Sequence, residues 1–156
     1  MLQDDVRLCR NFPPAVERIA QANPETPVCL FVGGLPRATA RDLLQAGKQG
    51  KHYARVHITD FVPVVAMLWP VQKAAEFLEW ALTAKLPGLP NPRSDDAVVG
   101  GWARQTRETV LATFPSLVEH PDVVESLIGR EHRAGQNKGR VALAWIGEGD
   151  PLQIPW

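Results

Sequence analysis

A short apolar run near the start of the chain sets the strongest limit on the fold. Residues 28–32 read Val-Cys-Leu-Phe-Val and are followed at once by Gly33 and Gly34. A run that lacks polar alternation, and that glycines close within a few residues, predicts a strand covered on both faces. Such strands belong to parallel or mixed sheets flanked by helices, so the sequence predicts an α/β protein with a mixed sheet.

Helical and extended patterns surround this strand. A proline-started pattern predicts a helix over 13–22 with Asn11 as its N-cap, and a shorter helix is predicted over 39–46. Residues 61–68 form a second extended region, in which Pro63 indicates an edge strand or a bulge because it lacks a backbone N–H.

Two further helices and a last strand are predicted in the second half. One helix starts at Pro70 and ends before the proline-rich segment 86–92, and another follows Ser94. Their apolar sides comprise Val71, Ala74, Ala75, Leu78 and Leu82 in the first, and Val99, Trp102, Ala103 and Thr106 in the second. The apolar run 141–146 predicts the final strand.

Length and charge exclude several classes of protein. The 156 residues suit one domain, and 17 Lys and Arg balance 17 Asp and Glu. This neutrality excludes attraction of the whole molecule to nucleic acid or an anionic membrane, although a local basic patch stays open. No run of about 18 apolar residues indicates a membrane span, and acids stand where a signal peptide has bases, so a cytoplasmic protein is predicted.

The two cysteines are too few for a disulfide framework or a zinc knuckle. Cys9 and Cys29 are therefore predicted to be buried thiols in a reducing compartment. A histidine-based zinc site is also excluded, because the sequence contains no pair of histidines at helical spacing and no cluster of cysteine and histidine.

An acidic pair opens the chain. Asp4 and Asp5 directly follow Leu2 and Gln3, and adjacent acids at the end of a strand supply oxygen ligands for Mg²⁺ or Mn²⁺. A diphosphate would then complete the coordination of the metal. The structural alternative is a solvated pair of acids at the N-terminus.

Two later segments offer further chemistry. Asp95 and Asp96 begin a predicted helix, where a carboxylate serves either as a general base on a hydroxyl or as a helix cap. His120 ends the segment Pro-Ser-Leu-Val-Glu-His at 115–120 and is either a contact to metal or phosphate, or a surface or capping residue.

Residues 129–140 form a basic loop with three glycines and four Lys or Arg against one Glu. This composition is typical of a flexible lid over a phosphate group, or of an exposed loop that charge keeps soluble. The loop has no interleaved aromatic residues on which bases could stack, which argues against nucleic-acid binding.

Taken in order, these motifs resemble the later half of a GT-A-type glycosyltransferase of the bacterial or phage kind. In that superfamily a D-x-D or E-D-D motif after a strand binds the metal of a nucleotide-sugar donor. The sequence Gln3-Asp4-Asp5 is similar to the E-D-D form with Gln3 in place of the first acid. The segment 115–120 resembles a P-S-L-V-x-H motif of the family, and the resemblance covers most of residues 1–128.

The resemblance implies roles for the metal and donor groups. Asp5 and His120 would hold Mn²⁺ or Mg²⁺, and Asp4 would contact the ribose or sugar of the donor. Arg130 and Arg133 would bind the leaving phosphates. Asp96 or Asp95 would take the proton of the acceptor hydroxyl.

The resemblance also implies that residues 1–156 are a single truncated GT-A-like domain, because the nucleotide-binding half of the family precedes the acidic motif. A partner chain or a homo-oligomer would then cover the face that this half occupies. The alternative to a sugar transferase is a non-catalytic remnant that acts as an oligomeric protein–protein interaction module.

Overall fold

A computed structural model describes residues 1–2, 6–33, 37–57, 64–83, 95–120 and 141–156. The helices in these ranges are α1 (Phe12–Ala22), α2 (Arg37–Lys48), α3 (Val71–Thr83) and α4 (Asp95–Thr106). The strands are β1 (Arg7–Leu8), β2 (Val28–Cys29), β3 (Tyr53–Arg55), β4 (Met67–Leu68), β5 (Leu111–Thr113) and β6 (Val118–Glu119). No helix in the described part of the chain is both long enough and apolar enough to cross a membrane.

A four-stranded mixed sheet in the order β3-β5-β2-β4 forms the centre of the fold and confirms the predicted α/β class. Strands β2 and β5 are parallel, with Val28 opposite Leu111, whereas the other two pairs are antiparallel. Extended hydrogen bonding continues past β2, since the Leu143 N–H donates to the Val32 carbonyl at 2.8 Å. Residues 28–33 are all buried, as the unbroken apolar run predicts.

Strands β1 and β6 form a separate antiparallel pair, in which Arg7 lies opposite Glu119. The predicted strand at 141–146 appears only as isolated bridges, from Ala142 to Gly33 and from Trp145 to Ser116. This C-terminal segment therefore lies beside the end of β2 without forming a regular strand.

Two buried clusters hold the layers together. One lies between the four-stranded sheet, α2 and α4 and includes Leu43 and Trp102, and the other packs α1 against residues around β6. Cys9 and Cys29 are both buried free thiols, as predicted. Burial raises the pKa of Cys9 to about 11, so this thiol stays protonated and unreactive at neutral pH.

The apolar side predicted for α3 does not face the core. Three of its members are largely exposed, namely Val71, Leu78 and Leu82 at 87%, 60% and 88%. Phe77 and Trp80 pack inward instead, and the Phe77 ring centroid lies 5.1 Å from that of Trp69 and 5.7 Å from that of Trp102. Aromatic rings bury more area than leucines and gain from edge and stacked contacts, so they determine how the helix rotates.

The N-terminus of α1 also differs from the prediction. Asn11 occupies the N-cap position, but its side chain makes no capping hydrogen bond and its φ is 53°. Its Nδ2 donates instead to Asp150 Oδ1 at 3.1 Å, which ties the start of α1 to the C-terminal segment.

Candidate active site

The structure locates three of the seven residues predicted for the site. Asp95, Asp96 and His120 lie within the described ranges. The other four lie outside them, namely Asp4, Asp5, Arg130 and Arg133.

Asp96 lies in the first turn of α4, and a backbone donor orients it. Its Oδ1 accepts a hydrogen bond from the Val64 N–H at 3.1 Å, which connects α4 to the segment that leads into β4. Burial raises the pKa of the Cys29 thiol, and the Asp96 charge raises it further. Asp96 is partly buried, whereas Asp95 is exposed.

His120 follows β6 and is 2% exposed, so of the alternatives left open for it that of a surface residue is excluded. One oxygen of Glu119, Oε1, accepts hydrogen bonds from the N–H groups of His120 and Ala142, both at 2.8 Å. These bonds fix the chain direction at His120 and join the end of β6 to the C-terminal segment.

Leu2, the last described residue before the acidic pair, is attached to the segment that binds Asp96. Leu2 forms an antiparallel bridge with Ala66, and the Met1 ammonium donates to the Met67 carbonyl at 2.8 Å. Val64, whose N–H binds Asp96, stands two residues from Ala66 on the same segment.

The residue on the C-terminal side of the acidic pair is attached near His120. Arg7 lies opposite Glu119 in the antiparallel pair of β1 and β6. Val6 directly precedes Arg7 in the chain, and His120 directly follows Glu119. The two described residues that flank the acidic pair, Leu2 and Val6, are therefore held next to the elements that carry Asp96 and His120.

A cleft at the opposite end of α4 was missed by sequence reasoning. Its volume is about 650 Å³, and it is lined by Arg55, Val56, His57, Arg104, Arg107 and Glu108. The arginines come from β3 and from the end of α4, so no local sequence motif marks them. Only the position of Arg107, directly after the last residue of α4, could have drawn attention to it in the sequence.

Asp96 is held at the N-terminal end of α4 by the Val64 N–H, and His120 is buried at the end of β6. Within the described ranges alone, no three Asp, Glu, His or Cys side chains come together as a metal site. Models of protein families give no match to the chain, and neither do the curated proteins or the solved structures.

Proposed function

We propose that the chain is a metal-dependent glycosyltransferase of the GT-A type, which transfers a sugar from a nucleotide-sugar donor to an acceptor hydroxyl. One observation carries this proposal: the residues on either side of Asp4 and Asp5 are attached beside the elements of Asp96 and His120. In this proposal the four groups that the family resemblance assigns to metal, donor and base form one site, although they are far apart in sequence. The mixed sheet flanked by helices is consistent with this fold.

The chemistry of the proposed ligands fits Mn²⁺ better than Mg²⁺. Asp5 and His120 would hold the ion, and an imidazole beside carboxylates suits a transition metal, whereas Mg²⁺ prefers oxygen ligands alone. When bound, the ion supplies positive charge that stabilises the departing nucleoside diphosphate. Asp4 would contact the ribose or sugar of the donor, and Arg130 and Arg133 would bind its phosphates.

Two observations favour Asp96 over Asp95 as the base that takes the proton of the acceptor hydroxyl. The Val64 N–H holds the Asp96 carboxylate in one orientation, whereas Asp95 is exposed in the same turn. A general base must be held within hydrogen-bond reach of the proton it removes, so a fixed carboxylate is the better candidate.

Calorimetric titration tests the metal and donor site. With Mn²⁺ present, we expect the protein to bind UDP or GDP and the corresponding nucleotide sugars, and we expect EDTA to abolish the signal. Asp5→Asn should remove this binding, whereas the matched control Glu25→Gln, an exposed acid outside the site, should bind normally. The absence of heat with every UDP and GDP sugar would contradict the proposal.

A specific surface favours the second candidate, a non-catalytic module that assembles with a second copy of itself. Val71, Leu78 and Leu82 follow one another at spacings of seven and four, so they form one apolar row along α3. Three exposed aliphatic side chains in one row are typical of an interaction surface.

Light scattering tests the interaction module. A dimer that dissociates in the double variant Leu78→Gln/Leu82→Gln, and persists in Asp4→Asn/Asp5→Asn, would support it. Gln72→Ala, an exposed change elsewhere on α3, is the control for the helix itself. A monomeric wild-type protein would rule this function out.

A further inference from the structure

A basic cleft lies at the C-terminal end of α4, at the other end of the helix from Asp96. We call it the arginine cleft; it is lined by Arg55, Val56, His57, Arg104, Arg107 and Glu108 and encloses about 650 Å³. This volume lies within the range of sites that take small molecules.

The carboxylates around the arginine cleft already have cationic partners. Glu108 Oε2 lies 2.6 Å from Lys73 Nζ, and Asp42 contacts both His57 Nε2 at 2.7 Å and Arg41 Nε at 3.0 Å. In the part of the chain that the structure describes, the three arginines of the cleft form no ion pair. The cleft therefore keeps an excess of positive charge in a protein whose net charge is zero.

The three arginines reach the cleft from β3 and from the C-terminal end of α4. Arg55 ends β3, and its Nη2 donates to Thr109 Oγ1, which restrains the side chain. Arg104 lies in the last turn of α4 and Arg107 directly follows the helix, and both line the cleft. Each guanidinium carries five N–H donors in a fixed plane, a geometry that matches the oxygens of a phosphate group.

The backbone at Arg107 indicates that its side chain serves more than helix stability. Its φ is 58°, and the Glu108 N–H donates to the Ala103 carbonyl at 2.9 Å, the arrangement that usually has glycine at this position. A side chain in this conformation is strained, and the strain offsets the favourable contact of the positive charge with the helix dipole. Stability alone thus gives arginine no advantage over glycine here.

We propose that the arginine cleft binds a small anion that carries a phosphate or diphosphate group, at a site separate from the proposed donor site. Asp96 and Arg107 lie at opposite ends of α4, about 16 Å apart along the axis at 1.5 Å per residue. None of the six lining residues is Phe, Tyr or Trp, so the cleft lacks the large aromatic surface that a nucleic-acid site would use. The chemistry and the volume favour a small phosphorylated molecule.

Calorimetric titration of the full chain with inorganic pyrophosphate, at low ionic strength and with EDTA present, tests this site. EDTA removes the divalent metal on which the proposed donor site depends, and variants of Arg104 and Arg107, which the donor site does not include, identify binding in the arginine cleft. We expect wild-type protein to bind pyrophosphate, and Arg104→Ala and Arg107→Gly each to weaken binding about tenfold through loss of a charge-assisted contact. Arg10→Ala removes the same charge at an exposed position outside the cleft and should leave the affinity unchanged.

Three outcomes would overturn the proposal. The first is no binding of pyrophosphate by the wild-type protein. The second is unchanged binding in the double variant Arg104→Ala/Arg107→Gly, with circular dichroism confirming that it is folded. The third is tighter binding of a single-stranded oligonucleotide than of pyrophosphate, lost in the same variants, which would identify a nucleic-acid surface instead.

Discussion

The two ends of α4 carry opposite charges but hold them in different ways. Asp95 and Asp96 stand at the N-terminal end, and Arg104 and Arg107 at the C-terminal end, the distribution that the helix dipole favours at both. Asp96 is bound to a backbone N–H from another segment, whereas Arg104 and Arg107 are exposed. The carboxylate of Asp96 is thus held in one orientation, whereas the side chains of Arg104 and Arg107 are accessible to an anion from solvent.

The largest effect should come from the residue that holds both ends in place. Trp102 is 1% exposed in the middle of α4, and its ring centroid lies 5.3 Å from that of Trp69. Trp102→Ala should lower the free energy of unfolding by about 3–5 kcal/mol, because it leaves a large cavity in the core. Urea unfolding measures this loss.

Trp80→Ala is the matched control for Trp102→Ala. Trp80 is only partly buried and donates its Nε1 hydrogen to Gln105 Oε1 at 3.0 Å, so its loss should cost less than half as much. An equal cost for the two tryptophans would contradict the view that α4 is anchored mainly through Trp102.

The next largest effect is expected for variants of Asp96, in which the change in stability can be measured separately from the change in sugar transfer. Asp96→Ala removes the acceptor of the Val64 N–H and should cost about 1–2 kcal/mol of stability, whereas Asp96→Asn keeps an oxygen acceptor and should cost less. If Asp96 is the base, both variants should lower sugar transfer by about 10²–10⁴-fold. Urea unfolding and the release of nucleoside diphosphate measure the two quantities.

Asp95→Asn is the control at the acidic end, since this exposed acid lies in the same turn. It should change stability and transfer little. If Asp95→Asn lowers sugar transfer as much as Asp96→Asn does, the assignment of Asp96 as the base is wrong.

The sequence predicted those parts of the fold in which a local pattern determines burial. Residues 28–32 contain no polar position, and the buried side of α4 follows from Val99, Trp102 and Ala103 at helical spacing. The predicted orientation of α3 was wrong because the aromatic rings of Phe77 and Trp80, and not the aliphatic residues, determine which side of the helix packs on the core. Strands of two or three residues, such as β1 and β6, are too short to show any period.

The candidate sites were predictable only as separate residues. Asp96 and His120 stand out by type and position, but the hydrogen bond from Val64 to Asp96 joins residues 32 apart and follows no local rule. The arginine cleft was missed for the same reason, since Arg55 reaches Arg104 and Arg107 only through the pairing of β3 with β5. Long-range pairing of this kind is a property of the folded chain.

A smaller effect tests the strain at the basic end. With φ at 58°, Arg107 should tolerate glycine better than alanine, because both substitutions remove the charge and only glycine relieves the backbone strain. Arg107→Gly should therefore be about 1 kcal/mol more stable than Arg107→Ala in urea unfolding. Equal stabilities would remove the conformational argument for a function of this side chain.

The smallest effect concerns the charge balance at the basic end as the pH falls. Hydrogen bonds from His57 and, to a smaller extent, from Arg41 lower the pKa of Asp42 below its usual value of 3.8. Ionised Asp42 therefore stabilises the folded state above pH 3.8. This contribution is lost as the pH falls through the lower pKa that Asp42 has in the folded state, where the carboxylate becomes protonated. Acid therefore leaves His57 without its carboxylate partner and makes the arginine cleft more positive. Asp42→Asn should flatten the fall in Tm below pH 3.8, and His57→Ala should flatten it more than Arg41→Ala, since the His57 contact is the larger cause.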